Sequence, residues 1–412
     1  MSNTQKKNVP ELRFPGFEGE WEEKKLGEVA TFAKGKLGAK KDVSQNGVPV
    51  ILYGELYTKY GAIVSKIFSK TDIPENKLKM AKKNDVLIPS SGETAIDIAT
   101  ASCIYLNKGV AVGGDINILT PQKQDGRFIS LSINGINKNE LSKYAQGKTV
   151  VHLYNNDIKN LKIAFPSEFE EQVRIGNFFS KLDRQIELEE QKLELLQQQK
   201  KGYMQKIFSQ ELRFKDENGN DYPKWEEKKI EDIASQVYGG GTPNTKIKEF
   251  WNGDIPWIQS SDVKVNDLIL QQCNKFISKN SIELSSAKLI PANSIAIVTR
   301  VGVGKLCLVE FDYATSQDFL SLSSLKYDKL YSLYSLLYTM KKISANLQGT
   351  SIKGITKKEL LDSIIKIPHN LEEQQKIGDL FYKIDKYISF NKCKIEILKS
   401  LKQGLLKKCL YK

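Results

Sequence analysis

Residues 168–208 read EFEEQVRIGNFFSKLDRQIELEEQKLELLQQQKKGYMQKIF. In this stretch, mostly apolar residues recur in alternating steps of four and three residues, and would therefore share one face of a helix. Two of the residues at these positions are polar. The positions of this first seam are Ile175, Phe179, Leu182, Ile186, Glu189, Leu193, Leu196, Lys200, Tyr203 and Ile207. Such spacing is typical of the heptads of a coiled coil. Because the stretch contains no proline, it predicts one continuous helix of about 60 Å, at about 1.5 Å per residue.

The seam occurs a second time, 202 residues further along the chain. The positions of this second seam are Ile377, Phe381, Ile384, Ile388, Asn391, Ile395, Leu398, Lys402, Leu405 and Cys409. The agreement continues upstream, where the Glu-Glu-Gln run at 170–172 recurs at 372–374 and Pro166 recurs as Pro368. A shared offset over so many positions indicates a tandem duplication that yields two long helices.

The beginning of each half is duplicated as well. Glu-Leu-Arg-Phe at 11–14 recurs at 211–214, and Trp-Glu-Glu-Lys-Lys at 21–25 recurs at 225–229. By the offset of 202, Lys412 corresponds to the residue that directly precedes the second of these arms. The second repeat, read past its end, therefore continues at the N-terminus. We predict a closed arrangement with an approximate two-fold axis, in which the long helices run antiparallel.

The polar positions of the seams suggest a register for this helix pair. If positions whose numbers sum to 591 face each other, Glu189 meets Lys402 and Lys200 meets Asn391. Both pairs are chemically compatible, and buried polar partners can fix the register of a coiled coil. The alternative is that these residues are solvated interruptions of a loose seam.

Between the arms and the long helices lie two globular segments, residues 31–150 and 235–352. Both contain short apolar runs separated by Gly, Pro, Asn and Asp, which predict strands of a modest sheet and hence an α+β fold. The predicted strands are 48–52, 85–89, 101–106, 116–119, 255–258, 294–299, 305–309 and 319–322, and residues 331–340 are predicted to be helical. The globular segments diverge far more than the arms and helices, as expected if each half recognises a different target.

Composition points to an anionic partner. The chain has 412 residues, enough for two domains with cores of their own, and a net charge of +13. Residues 31–150 hold 17 Lys or Arg against 10 Asp or Glu, whereas residues 235–352 hold 12 against 9.

Five unpaired cysteines favour a reduced, cytoplasmic setting, and two distant histidines argue against a zinc site. Residues 1–10 resemble a disordered tail rather than a secretory signal, and no apolar run is long enough to span a membrane.

No self-contained active site is evident in the sequence. The chain lacks the Asn-Pro-Pro or Asp-Pro-Pro run of an amino-methyltransferase, a complete phosphate loop, HExxH and GxSxG. Residues 301–305, Val-Gly-Val-Gly-Lys, miss the first Gly and the final Ser or Thr of a phosphate loop and are better explained as a tight turn. The Glu pairs at 170–171 and 372–373 stand at helix starts, where the helix dipole accounts for them.

Nucleic-acid binding has better support. The loop Tyr-Gly-Gly-Gly-Thr-Pro-Asn-Thr-Lys at 238–246 offers backbone amides, hydroxyls and a cation to phosphates or base edges, although an ordinary glycine-rich turn would look the same. Arg300 is the only arginine of its segment and suits guanine, with a surface ion pair as an equal alternative. Trp251 and Trp257 are expected in the core. In the first segment, lysines surround Gly35 and Gly38 in a basic loop.

The repeated order of divergent segment, Gln-Gly run, Glu-Glu-Gln and long helix resembles the specificity subunit of type I restriction-modification systems. The Gly-Gly-Thr-Pro loop at 240–243, Ile-Pro-Trp-Ile at 255–258 and Thr-Ser-Gln-Asp at 315–318 look like that family's second recognition domain. The first domain departs from the pattern because no Gly-Gly-Thr-Pro loop occurs near Lys34.

The resemblance implies a non-catalytic, DNA-reading subunit. Each recognition domain would read one block of an asymmetric bipartite site in double-stranded DNA, and the helix pair would fix the spacing between the blocks. Two modification subunits, which bind S-adenosylmethionine and methylate a flipped adenine, would dock on the helices and arms. Restriction subunits that use ATP with Mg would join them. No cofactor, metal or membrane is expected for this chain itself.

The resemblance also implies boundaries and candidate residues. The expected divisions are 1–10 tail, 11–166 arm and first recognition domain, 167–210 central helix, 211–367 arm and second recognition domain, and 368–412 C-terminal helix. The candidate DNA-binding residues are Lys34, Lys36, Lys40, Lys41, Tyr53, Ser90, Ser91, Lys148, Tyr238, Thr242, Asn244, Thr245, Lys246, Gln259, Ser260, Ser261, Arg300, Lys305, Gln317, Thr350 and Ser351. Two other functions compete with this one: a methyltransferase with its own catalytic domain, and a coiled-coil adaptor with no nucleic-acid role.

Overall fold

The computed structural model describes residues 9–37, 40–265, 267–347 and 354–410. The chain divides into two compact units, Met1–Glu190 with Lys394–Lys412 and Gln191–Cys393. Each unit therefore combines one globular segment with part of each long helix. The long helices are α7 (Phe169–Phe208) and α11 (Leu371–Leu410), each of 40 residues, close to the bounds that the seams predict.

The remaining elements follow in chain order. The strands of the first unit are β1 (Glu22–Lys25), β2 (Ala30–Lys34), β3 (Val43–Ser44), β4 (Val48–Ile51), β5 (Ile63–Val64), β6 (Ser69–Thr71), β7 (Lys79–Ala81), β8 (Val86–Pro89), β9 (Ser91–Gly92), β10 (Ser102–Ile104), β11 (Val110–Val112), β12 (Ile116–Pro121), β13 (Val151–His152) and β14 (Lys162–Phe165). Its short helices are α1 (Leu26–Val29), α2 (Tyr53–Thr58), α3 (Ala95–Ile98), α4 (Gly126–Asn134), α5 (Lys138–Ser142) and α6 (Asn155–Ile158).

The strands of the second unit are β15 (Glu226–Lys229), β16 (Ala234–Gly239), β17 (Ile255–Ile258), β18 (Ile269–Leu270), β19 (Phe276–Ile277), β20 (Ser294–Val298), β21 (Leu306–Val309), β22 (Ala314–Thr315), β23 (Phe319–Leu325) and β24 (Ile364–Ile367). Its other α-helices are α8 (Lys279–Leu284), α9 (Lys329–Leu347) and α10 (Lys357–Asp362), and the 3-10 helices of the chain are Lys40–Asp42, Glu75–Lys77, Ile230–Ile233 and Lys248–Trp251. All eight predicted strands and the helix predicted at 331–340 are present, with ends shifted by a few residues.

The main sheets of the two units have the same topology. Their orders are β2-β12-β8-β10-β5 and β16-β23-β20-β21-β18. In both sheets the first four strands pair antiparallel and the last strand pairs parallel. The duplication inferred from the arms and helices therefore extends through globular segments whose sequences have diverged.

A second sheet distinguishes the two units. In the first unit it has five strands, in the order β3-β6-β4-β11-β7, and in the second unit it has three, in the order β19-β17-β22. The parallel pair β4 and β11 corresponds to the parallel pair β17 and β22. The strands β3 and β7 are additions of the first unit. The sequence predicted one modest sheet in each segment, so the second layer is a correction to that prediction.

The central strands are apolar without interruption because they are covered on both faces. In β8, Val86 and Ile88 belong to one apolar cluster and Leu87 belongs to another. In β20, the alternating residues likewise divide between two clusters. Such two-sided burial explains why these runs lack the polar alternation of a half-exposed strand. Trp257 is buried, as predicted, and Trp251 packs edge-on against it at a centroid distance of 4.9 Å.

The arms are fixed by a repeated ion pair. Glu171 and Glu373 are fully buried near the starts of α7 and α11. Arg13 donates to both carboxylate oxygens of Glu171, each at 2.7 Å, and Arg213 contacts Glu373 at 2.9–3.1 Å. The helix dipole is therefore an incomplete explanation of these glutamates, because each one also neutralises a bidentate arginine from the arm.

In the first unit the N-terminal arm contacts the end of the C-terminal helix, as the predicted closed arrangement requires. The backbone N–H of Leu12 donates to the carbonyl of Lys408 at 2.9 Å, and Lys408 pairs with Glu11. In the second unit the N–H of Leu212 donates to the carbonyl of Lys206 at 3.0 Å. The offset of 202 relates Lys408 to Lys206. The contact between Leu12 and Lys408, which joins the two ends of the chain, is therefore equivalent to the contact between Leu212 and Lys206, which are only six residues apart in the sequence.

Within each unit the long helices run antiparallel, but the predicted register is wrong. Lys402 pairs with Asp183 rather than Glu189, and Glu189 accepts from Lys394 at 2.6 Å. Lys200 pairs with Asp385 at 2.5 Å rather than with Asn391. The register differs by about six positions from the predicted one. In the observed register both lysines lie opposite an aspartate, whereas the predicted register would have placed Lys200 opposite an amide, which neutralises an ammonium group less well. Among the seam positions on the described part of the chain, only Tyr203 is exposed.

Candidate nucleic-acid interface

The first unit has a cleft of about 490 Å³ at one end of its main sheet. Its lining residues are Lys34, Ser90, Ser91, Asp115, Asn117, His152, Leu153, Tyr154, Asn155 and Asn156. The end of β2 contributes Lys34, the connection from β8 to β9 contributes Ser90, and the start of β9 contributes Ser91. The segment from β13 to α6 closes the other side, and its Asn155 donates to the carbonyl of Ala33 at 3.1 Å.

The second unit has a cleft of about 600 Å³ at the corresponding end of its sheet. Its lining residues are Gly239, Gly240, Thr299, Arg300, Gln317, Phe319, Leu320, Gly354, Ile355, Thr356 and Lys357. Here β16, the residues after β20 and the segment that enters α10 form the walls.

Backbone hydrogen bonds show that the two clefts are equivalent. The N–H of Ser90 donates to Asp115 and its carbonyl accepts from Leu153, at 2.9 and 3.0 Å. The N–H of Thr299 donates to Asp318 and its carbonyl accepts from Ile355, both at 2.8 Å. The offset of 202 that relates the seams also relates Leu153 to Ile355. Both clefts are thus built on one backbone frame, and their side chains differ.

A glycine at the entrance of each cleft lets two backbone segments meet. The N–H of Gly35 donates to Ile116, and the N–H of Gly240 donates to Phe319. A β-carbon on Gly35 would collide with the carbonyl of Gly113, and one on Gly240 would collide with the carbonyl of Ser316. Gly35 therefore occupies the place of Gly240, the first residue of the Gly-Gly-Thr-Pro loop, although the residues that follow Gly35 do not repeat that loop.

The loop that follows Gly240 is held from both sides. Thr242 donates to the side chain of Gln317 at 2.8 Å, and the indole of Trp257 donates to the carbonyl of Gly241 at 3.0 Å. The indole of Trp251 donates to the carbonyl of Asn244 at 3.2 Å. Trp257 supports the loop from the core, whereas Trp251, which was also expected in the core, is half-buried beside it. Asn244, Thr245 and Lys246 of the loop remain exposed.

The clefts differ in charge. Arg300 and Lys357 line the second cleft, and none of its lining residues carries a carboxylate. Lys34 and Asp115 both line the first cleft. His152 also lies there, and its Nδ1 is 3.1 Å from the hydroxyl of Ser91. Although the first globular segment has the larger surplus of lysine and arginine, the second cleft is the more basic of the two.

The structure brings some of the predicted residues together. Lys34, Ser90 and Ser91 line the first cleft, and Arg300 and Gln317 line the second. Candidates that lie outside the cleft linings are Lys36, Lys40, Lys41, Tyr53, Lys148, Tyr238, Thr242, Asn244, Thr245, Lys246, Gln259, Ser260, Ser261 and Lys305. Thr350 and Ser351 lie outside the described residues. Residues 300–304 form the predicted turn, in which the N–H of Val303 donates to the carbonyl of Arg300 at 3.1 Å.

Sequence reasoning missed the third wall of each cleft. In the first cleft this wall contains Tyr154 and Asn155, and in the second it contains Thr356 and Lys357. These segments follow the nearest strands of the main sheets by about 30 residues and show no motif of their own. The offset of 202 could have identified these walls as equivalent, because it relates Tyr154 to Thr356 and Asn155 to Lys357.

Within the described ranges, no group of three or more His, Cys, Asp or Glu side chains is arranged to hold a metal ion. Cys103 and Cys307 are buried, and burial raises the pKa of the Cys307 thiol to about 12. A thiol with so high a pKa is a core side chain and a poor nucleophile at neutral pH. Over the same ranges, no helix is both long and apolar enough to cross a bilayer.

Comparison with known proteins gives consistent matches. The family model described as "Type I restriction modification DNA specificity domain" matches twice, at residues 18–198 and 222–400. The MjaIX specificity subunit of Methanocaldococcus jannaschii is 32% identical over 209 residues, which are 48% of this chain and 47% of that protein. The MjaVIII specificity subunit of the same organism is 25% identical over 97% of this chain and 93% of its own length.

The fold is shared with a solved structure. The crystal structure of a type I restriction-modification S subunit from M. genitalium superposes with a TM-score of 0.65 and 16% identity. The superposition covers 98% of this chain and 99% of that one. By contrast, the chain spans about half the length of the MjaIX subunit in the sequence match.

Proposed function

The chain belongs to the type I restriction modification DNA specificity domain family, and from this premise we propose that it is the DNA-specificity subunit of such a system. Each recognition domain reads one block of an asymmetric bipartite site in double-stranded DNA. The main observation in support is the pair of equivalent clefts, which share a backbone frame and carry different side chains. A shared frame with different side chains is what two readers of different sequences require.

The helix pair is proposed to set the spacing between the two blocks. In each unit the long helices are held together by apolar seam residues and by a lysine–aspartate pair, Lys402 with Asp183 in one and Lys200 with Asp385 in the other. A rigid connection makes the separation of two readers a geometric quantity. Inserting four residues into both α7 and α11, at positions opposite each other, should change the spacer length that the complex accepts.

Partner subunits are proposed to dock on the long helices. In the second unit, Tyr387 and Phe390 of α11 are 64% and 66% exposed. In the first unit, Ile397 and Leu401 of the same helix are 61% and 50% exposed. Exposed apolar side chains on a helix face typically mark a protein interface. We propose that two modification subunits bind there, and that restriction subunits join the assembly.

The chain itself is proposed to be non-catalytic and to bind no cofactor. S-adenosylmethionine would belong to the modification subunits, and ATP with Mg would belong to the restriction subunits. We further propose a cytoplasmic location, where such a complex meets DNA.

Methylome sequencing tests the proposal. A host that lacks methylation of its own would express this chain together with its modification subunits. We expect methylated adenines in one bipartite motif with two unlike blocks and a fixed spacer. A host methylome without such a motif, although the complex assembles, would contradict the proposed function and favour a coiled-coil adaptor. Binding of S-adenosylmethionine by the isolated chain would instead favour a methyltransferase.

A further inference from the structure

We propose that one position of the shared frame, occupied by Ser91 in the first recognition domain and by Arg300 in the second, determines base specificity in both domains. We further propose that Arg300 reads a guanine. This inference rests on the proposed function and deepens it, because it names equivalent residues and the base that one of them selects.

The equivalence follows from hydrogen bonds to the preceding residue. Ser90 and Thr299 are each fixed through their N–H and their carbonyl by the matching pairs of backbone partners described above. Ser91 and Arg300 come directly after these anchors and line their respective clefts. Their α-carbons therefore occupy the same place relative to the sheet, and the difference between the domains lies in the side chain.

Arg300 has the properties of a reading residue. Its backbone is fixed on one side by Thr299, whose hydroxyl also donates to the carbonyl of Asp318 at 3.0 Å, and on the other side by the turn to Val303. The side chain is exposed, and no carboxylate of the described residues lies within ion-pair distance of it. The surface ion pair that competed with base reading is therefore absent from the described part of the chain.

The chemistry of the guanidinium selects the base. Its planar fork donates two parallel hydrogen bonds, which match the O6 and N7 acceptors of guanine in the major groove. Adenine has an amino group, which is a donor, in the place of O6. One N–H of the guanidinium would then face an N–H of the base instead of an acceptor. Because the lining of the cleft contains a second cation, Lys357, and no carboxylate, no anion of the lining competes with the base for the guanidinium.

Ser91 gives the same position a different character. It is half-buried, and its hydroxyl is 3.1 Å from the Nδ1 of His152, which lies opposite it across the short β9–β13 ladder. A short, neutral side chain that is already paired lacks the reach and the double donor of an arginine. The first domain is therefore expected to have no guanine preference at the base pair that this position faces.

Exchange of the two side chains tests the inference. The chain with its modification subunits would carry Arg300→Ser, Arg300→Lys, or Ser91→Arg, and each methylome would be compared with that of the unaltered complex. We expect the unaltered complex to require guanine at one position of one block. Arg300→Ser should relax that position, lowering discrimination against other bases by about tenfold to a hundredfold. The other block, which the first recognition domain reads, should be unchanged.

The other variants separate base reading from phosphate binding and from misfolding. Arg300→Lys keeps the positive charge and should weaken the guanine requirement less than Arg300→Ser does, because an ammonium can still donate to O6 and N7 but lacks the planar fork. Ser91→Arg should introduce a guanine preference in the other block, whereas Ser91→Ala should not. Lys326→Ser is a matched control, since Lys326 follows the far end of β23, about 20 Å from the cleft at 3.3 Å per residue. It should leave the motif intact.

The outcomes that overturn the inference are distinct from failure of the proposed function. An unchanged motif in Arg300→Ser and Arg300→Lys would refute it, and so would equal relaxation of both blocks. Loss of affinity for every duplex with an unchanged motif would assign Arg300 to a phosphate instead. If the unaltered complex shows no bipartite motif, the proposed function itself fails.

Discussion

The two halves of this chain agree in their arms and main sheets and differ in the side chains of their clefts. Both arms place an arginine on a buried glutamate, and both main sheets have the same strand order. The two clefts, by contrast, have the same backbone hydrogen bonds but different side chains at almost every equivalent position. The second sheet is also larger in the first half, where β3 and β7 extend it. A frame held by backbone contacts can thus present a new surface without any change in the elements that support it.

The largest expected effect concerns the arms. Arg13→Ala and Arg213→Ala each leave a fully buried carboxylate without its bidentate partner. Removing one partner of a buried pair typically costs about 3 kcal/mol or more. Urea unfolding should show similar losses for both variants if the halves are equivalent. Lys215→Ala, which changes an exposed cation in the second arm, is the control and should differ from the unaltered chain by less than about 0.5 kcal/mol.

The register of the helix pair comes next. Lys200 and Asp385 are each about one fifth exposed, and Tyr334 donates to the same aspartate at 2.7 Å. Lys200→Asp should lower the free energy of unfolding by about 1–2 kcal/mol, because it places two like charges together. Adding Asp385→Lys should recover part of that loss, measured as a coupling energy in a double-mutant cycle. Recovery by Asn391→Lys instead would restore the register that the seam first suggested.

A smaller effect distinguishes the first half from the second. Lys66 donates to Glu187 of α7 at 2.7 Å, whereas the equivalent positions of the second half hold Gln272 and Ser389. The hydrogen bonds from Lys66 and from Arg184 lower the pKa of Glu187 below its usual value of 4.5. The contribution is therefore present above that value and is lost as pH falls through the lowered pKa.

Glu187→Gln should accordingly reduce stability by about 0.5 kcal/mol at neutral pH, as expected for a partly exposed pair. The difference from the unaltered chain should shrink below the ordinary carboxyl pKa and vanish once the pH is below the lowered pKa of Glu187. Thermal unfolding across pH 3 to 7 provides the measurement. Ser389→Ala in the second half is the control, and a pH-independent difference for Glu187→Gln would show that the carboxylate charge plays no part.

The smallest effect is expected from moving the chain ends. Ser209 and Gln210 link Phe208 to Glu211, and Tyr411 and Lys412 stand at the equivalent positions after Leu410. A permuted chain would join Lys412 to Glu11 and open the exposed turn between Asn218 and Gly219. Its midpoint of thermal unfolding should lie within a few degrees of the original. A large loss would mean that the Leu12–Lys408 contact does not reproduce the covalent connection of the other half.

Sequence alone predicted the parts of the fold that rest on period and repetition. The seams identified both long helices, and unbroken apolar runs identified the strands that are covered on both faces. The axial register failed because a heptad pattern fixes which face is buried, while a shift by almost one repeat leaves that face unchanged. Lys200 and Lys402 were rightly placed on the seam, but Asp183 and Asp385 beside it decided the pairing.

The candidate site was predicted less completely. Of the candidate residues, Lys34, Ser90, Ser91, Arg300 and Gln317 line the clefts. Arg300 stood out as the only arginine of its segment, and Gln317 belongs to the Thr-Ser-Gln-Asp run that carries the family resemblance. The walls formed by residues 153–156 and 354–357 were not found, because they come from segments distant in the chain that carry no motif. The backbone contacts from Leu153 and Ile355 show that these segments belong to the same frame, which the offset of 202 also relates.

The contact between Leu12 and Lys408 has a consequence for the origin of the chain. An ancestor of half the length, with one arm, one reader and one long helix, would have carried both surfaces that this contact joins. Two copies of it could have associated head to tail and closed on themselves before any gene fusion. Fusion would then have freed each reader to drift, turning a palindromic target into one with two unrelated ends.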